Sequence, residues 1–157
     1  MSSGAHTSPS APGRQDAAID LAERRPRGWG RVRRIAGWVH LATVLAILLA
    51  VFVQVYLIGA YVFGAGEGAL NAHEAVGWTA NELELVVLIC ALVGWLPRRD
   101  ILLSLGLAVV GTVQVSLASA HRWVGGLHPL LALVVFITAG ALVRRRLAFY
   151  GLLSRRR

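Results

Sequence analysis

Lysine is absent from this chain of 157 residues, and all sixteen of its basic residues are arginine. Cysteine occurs once, at Cys90, which excludes an internal disulfide and a redox pair of the CxxC type. No HExxH pattern, no phosphate-binding glycine loop and no nucleophile set beside a base occurs anywhere, so a hydrolase or transferase has no residues to stand on. Acidic residues number only eight, leaving a net charge of +8. Such a charge suggests nucleic acid at first sight. The arginines, however, sit at the ends of apolar runs and form no stripe on a polar domain, so the phosphates of a lipid bilayer are the expected partner and no nucleic acid is. The rest is dominated by Ala, Val, Leu and Gly, the usage of a high-GC bacterial genome.

What is present in abundance is apolar length. Hydrophobic residues make up 56% of the chain, more than an ordinary soluble domain carries. Residues 1–34 are rich in Ser, Pro, Ala and charge and lack apolar periodicity over most of their length, which predicts a disordered basic tail. A four-helix transmembrane domain follows over 35–146, with spans at about 35–63, 73–96, 101–120 and 128–143, since roughly 20 apolar residues cross the hydrocarbon. The first run is too long, and its leader too long, for a cleaved signal peptide. Asn71 followed by Glu74 resembles a capping box and sets the second helix start near Ala72. Pro97 to Asp100 reads as a tight turn, Pro129 suits the first helical position of the last span, and Arg144 to Arg146 mark its end. Residues 147–157 form a short basic tail.

Arginines are retained on the cytoplasmic face, and fifteen of the sixteen fall on one side of this arrangement, with Arg122 alone on the other. Both termini and the Pro97 turn are therefore expected inside, in the cytoplasmic (inner) membrane of a bacterium.

The chain repeats itself. Gln54-Val-Tyr-Leu-Ile-Gly-Ala60 near the outer end of the first span is echoed by Gln114-Val-Ser-Leu-Ala-Ser-Ala120 near the outer end of the third. Each is followed by a histidine opening the next helix, His73 in one case and His128 in the other. Two hairpins of one orientation imply a pseudo-twofold axis along the membrane normal, facing His73 and His128 across an all-α bundle at one depth. At 1.5 Å per residue Gln54 and Gln114 lie about 9 Å below the outer helix ends, and Glu82 falls at the same level. The second helix must also bring Asn81 and Glu84 into the bilayer. His73, Gly77, Asn81 and Glu84 share one helical face, with Glu82 turned away from it. Intramembrane carboxylates are costly unless paired or protonated, so Gln54, Gln114, Asn81, Glu82 and Glu84 are expected to form a buried polar layer within an enclosed second helix.

Two imidazoles at matching sites of a four-helix bundle suit axial ligation of haem b. In this reading Gly77 and Ala132 leave room beside His73 and His128, Arg122 meets the propionates, Trp78, Trp123 and Tyr61 pack the ring edge, and His121 is an alternative ligand. A divalent metal on His73, His121 and His128 is a further option, and ordinary interfacial anchoring of these side chains needs no cofactor at all. The pre-proline position of His128 biases it away from helical geometry and so away from the bundle. His40 stands alone at the opposite end.

The Gln-Val-x-Leu-x-Gly of the first span, the His-x-x-x-Gly of the second, the Gln of the third and the Leu-His-Pro-x-x-Ala-Leu opening the fourth resemble an uncharacterised family of small actinobacterial four-helix membrane proteins over residues 35–146. More distantly the chain is similar to one four-helix half of the haem A synthase group or a cytochrome b-type bundle, which implies histidines near helix ends as haem ligands. The glutamate-to-histidine spacing of that enzyme group is missing, because Glu67 precedes His73 by six residues.

With no catalytic constellation, and with Gly59, Gly106, Gly111 and Gly140 suited to close helix packing, the first expectation is a non-catalytic accessory or interaction subunit that meets a membrane protein partner or a second copy of itself. The second is a haem b electron-transfer protein using His73 and His128. The third is a proton-coupled transporter using Glu84.

Overall fold

The computed structural model describes residues 27–118 and 122–152. By its contacts the chain divides after Arg31, and the unit beginning at Val32 carries everything below. The described residues are helical throughout apart from short turns: α1 (Arg27–Val62), α2 (Glu67–Val93), α3 (Arg98–Ala118), a single turn α4 (Arg122–Gly125) and α5 (His128–Phe149). Four of these helices, α1, α2, α3 and α5, are long and apolar enough to cross a membrane.

The helices start and stop for local reasons. At the end of α1, Gly64 adopts φ 94° and its N–H and that of Ala65 close on the Tyr61 and Ala60 carbonyls at 3.0 and 2.9 Å, a left-handed cap that glycine adopts without steric cost. The end of α2 makes the same pair of bonds, Trp95 to Leu92 and Leu96 to Ala91, both 3.0 Å, yet Trp95 holds the left-handed position at φ 48°. A non-glycine residue costs about 1–2 kcal/mol there. The exposed indole stands at the arginine-rich end, where a membrane interface would receive it. Arg33 Nε on α1 donates to the freed Gly94 carbonyl at 3.3 Å.

Four boundaries differ from the sequence reading. Helix α1 begins at Arg27, so residues 27–34 are helical and not part of a disordered tail. Helix α2 begins at Glu67, not near Ala72, so Asn71 and Glu74 lie inside it and Gly66 precedes it without a side-chain cap. Helix α3 begins at Arg98, so Asp100 belongs to its first turn. Helix α5 continues through Arg144–Arg146 to Phe149, because Arg146 turns inward to partners instead of ending the helix at a membrane surface.

The backbone of α3 lies close to both α2 and α5, while α1 joins the bundle mainly through side chains. Burial follows the internal repeat. The buried residues of α2 are Ala80, Glu84, Val87 and Ala91, and those of α5 are Val135, Ala139, Leu142 and Arg146, each 55 positions on. Between α1 and α3, buried His40, Val44 and Ile47 answer to buried Asp100, Ser104 and Leu107, each 60 positions on. One packing plan is used twice.

At mid-height Val44, Ile47, Val87, Leu107, Val135, Ala139 and Leu142 form the apolar core. In hydrocarbon such a core gains little from the hydrophobic effect, so close packing and polar contacts must hold the helices together. Of the four glycines expected at helix contacts, only Gly111 is one. A side chain at Gly59, Gly106 or Gly140 would meet open space, and the close approaches fall instead at Gly37, Gly77 and Gly111.

Candidate functional site: a paired-histidine cavity

The two hairpins build one local motif twice. His73 Nδ1 on α2 lies 3.0 Å from the Gln54 carbonyl of α1, and His128 Nδ1 on α5 lies 3.0 Å from the Gln114 carbonyl of α3. A carbonyl oxygen only accepts, so each Nδ1 carries the hydrogen and each neutral ring keeps its lone pair on Nε2. The pairing also aims His128 into the bundle. Proline at the start of α5 fixes its first turn there without diverting the imidazole. The rings approach to 6.2 Å between centroids, with planes inclined by 71°. His73 stands nearly two turns inside α2, because that helix starts earlier than the sequence suggests.

A cavity of about 410 Å³ opens beside the pair, walled by apolar side chains such as Val51, Val55, Ala132 and Val135, and reaching Gln54, Gln114 and Glu84. A smaller one of about 230 Å³ shares both histidines and adds Gly77, Trp78 and Val115. Glu84 is wholly buried. Its Oε2 lies 3.3 Å from the Asn81 amide, which also reaches Thr112 at 3.2 Å. The carboxyl fits only because α3 carries no side chain at Gly111, where a Cβ would coincide with it. The other carboxyl oxygen and the Oε1 atoms of Gln54 and Gln114 are buried without a hydrogen-bond partner among the described residues.

The structure thus brings together His73, His128, Gln54, Gln114, Asn81 and Glu84. Glu82 does not join them. It is exposed on the outer surface of α2, as its helical position relative to Asn81 and Glu84 requires. The room expected beside Gly77 is filled, since a Cβ there would meet the Gln54 amide nitrogen at 2.7 Å, whereas Ala132 does line the larger cavity. Trp78 borders the smaller cavity, but Trp123 is 94% exposed and lines neither cavity. His121 and the Arg122 side chain lie outside the described residues.

A second polar cluster, unmarked in the sequence, occupies the opposite end. Asp100 pairs with Arg145 and lies 4.0 Å from Arg146 Nη1, and all but Arg145 are buried. Arg146 donates to the Tyr150 hydroxyl at 3.1 Å, in space left by Gly37, and Tyr150 stacks on Trp38 at 4.2 Å. The Ser104 hydroxyl donates to the Asp100 carbonyl at 2.8 Å and so accepts from His40 Nε2 at 3.1 Å. The signal that would have found this cluster is the repeat itself, because the shift of 60 that aligns the glutamines also places Asp100 on His40.

Fold and cavity together define a class: an all-helical, multi-pass membrane protein with a histidine pair at one end of its bundle. More particularly, residues 54–120 match the model of a family of unknown function (DUF6220), a stretch that starts at Gln54 and includes His73, Glu84 and Gln114. No curated protein and no solved structure matches the chain.

Proposed function

We propose that this chain is a haem b-binding electron-transfer protein of the bacterial cytoplasmic membrane, with His73 and His128 as axial ligands and both termini inside. The observation that carries this reading is the mirrored pair of bonds from Nδ1 to a backbone carbonyl. Ligating histidines are oriented in that way by a partner on the other ring nitrogen. The two imidazoles stand 6.2 Å apart between centroids and border both cavities, so that a haem iron would be held by His73 and His128 together. The third histidine of a divalent-metal site on His73, His121 and His128 lies outside the described residues. A cavity of 410 Å³ lies within the usual range of cofactor sites, roughly 300–1,000 Å³. The resemblance to a four-helix half of the haem A synthase group points the same way, and the arginine distribution supports the orientation.

Bound haem would supply one-electron chemistry. The chain's own contribution is to hold both imidazoles in the ligating tautomer and to surround the site with apolar side chains. Protein purified in detergent is expected to show a Soret band, lost in His73→Ala and in His128→Ala. A colourless preparation that takes up no added haem would overturn the reading and leave the accessory subunit without a cofactor in its place. Reporter fusions test the orientation, with the Pro97 turn expected in the cytoplasm and Ala65 outside.

A further inference from the structure

The two halves of the bundle bury matching positions, and among the places where the residues there differ in chemistry one surrounds Glu84. Where the first half has Glu84 the second has Ala139, and where α3 has Gly111 the matching position of α1 is Val51. Val51 packs against the buried cluster that contains Ala139. An alanine and a valine therefore satisfy this packing site in one half, while a carboxyl and the empty space that admits it take their place in the other. The scaffold does not require a charge-bearing group at this level.

The surroundings of Glu84 are also one-sided. Its free oxygen and those of Gln54 and Gln114 can all accept a hydrogen bond, and among the described residues nothing donates to them. The titratable groups that share its cavity are His73 and Glu74 on α2 and His128 on α5, while α1 and α3 contribute no titratable group and, as polar side chains, the two glutamines. No cation lies within pairing distance among the described residues, since Asp100 and the inward-turned arginines occupy the other end. A carboxylate so placed has no counter-charge among the described residues, whereas a carboxylic acid would add a donor to a layer in which three buried oxygens have none.

We infer that Glu84 is a redox-linked proton acceptor, holding its proton more tightly once an electron has entered a haem held between His73 and His128. The inference rests on the haem reading. With two neutral imidazoles the iron–porphyrin core of a ferric haem would carry one positive charge, which would favour the ionised carboxyl across the cavity, and reduction would remove that charge. The balance is one electron from an external one-electron reductant to the iron and at most one proton from water to a Glu84 oxygen, with no bond to carbon made or broken. Glu84 lies about 16 Å along α2 from His73, a separation at which one unit charge changes a carboxyl's proton affinity about fivefold at an effective dielectric of ~20.

The test is a potentiometric titration of the haem-loaded full chain in phospholipid nanodiscs, with dithionite as reductant and ferricyanide as oxidant, at a series of pH values across neutrality. The wild-type midpoint potential is expected to fall as pH rises, and Glu84→Gln to flatten that dependence. A tenfold change in proton affinity between the two redox states corresponds to about 59 mV. If Glu84→Gln does not load haem, the double variant Glu84→Ala with Gly111→Val, which copies the pair at Ala139 and Val51, gives the same comparison. A wild-type potential independent of pH, or a dependence unchanged in these variants, overturns the inference while the haem reading stands. Absence of a Soret band in the wild type overturns both.

Discussion

The two ends of the bundle solve the same physical problem in opposite ways. Each buries a charge-bearing side chain where the repeat has alanine, Arg146 against Ala91 and Glu84 against Ala139, and each accommodates it with a glycine on a facing helix, Gly37 in one case and Gly111 in the other. Arg146 has Asp100 and Tyr150 as partners. Glu84 has one amide. A buried charge with a counter-ion beside it ties α3 to α5 and draws α1 onto them through Gly37 and Trp38, although its Nε has no hydrogen bond among the described residues. A buried carboxyl with an oxygen unpartnered contributes little to cohesion. The difference separates a structural end from a chemical one within a single repeated plan.

The comparison breaks most easily at Asp100. Asp100→Ala leaves Arg146 buried beside no counter-ion and is expected to destabilise the fold by about 3–5 kcal/mol, read as a lowered unfolding midpoint in detergent. The corresponding change at the other end, Glu84→Gln, is expected to move that midpoint far less. Next in size is Gly111→Val, whose side chain coincides with the Glu84 carboxyl and is expected to cost about 1–3 kcal/mol. Combining it with Glu84→Ala should recover stability to within about 1 kcal/mol, and a double-mutant cycle measures the coupling. If the combination is as unstable as Gly111→Val alone, the two halves are not interchangeable. The smallest effect is expected at Gly140, where a side chain meets open space. Gly140→Ala should stabilise α5 by about 0.5–1 kcal/mol, and a loss instead would show that this face packs against another molecule.

Much of the fold was legible because hydrocarbon imposes simple conditions. Long apolar runs bounded by arginine must be helices, since an isolated segment in lipid has no other way to pair its own backbone. The repeat was visible in Gln54 and Gln114 and in the histidines that follow them. Helix ends were not. The Asn71 and Glu74 spacing imitates a cap, yet α2 begins earlier, where Gly64 and Gly66 supply the left-handed turns. Nor does a run of three arginines reveal that one of them faces inward, since that depends on Asp100, more than forty positions away. Gly77 illustrates the same limit. Its missing side chain was apparent, but its occupant is the Gln54 amide from a different helix.

Composition and periodicity alone set the number of membrane-compatible helices, the duplicated hairpin and the presence of two histidines at equivalent places, because each follows from which residues lie next to one another along the chain. Only the tertiary arrangement decided that both imidazoles share one tautomer, that Glu84 turns inward while Glu82 turns out, and that Asp100 and Arg146 meet. Those outcomes depend on which helices become neighbours and at what rotation, and a buried polar atom's partners come from across the bundle.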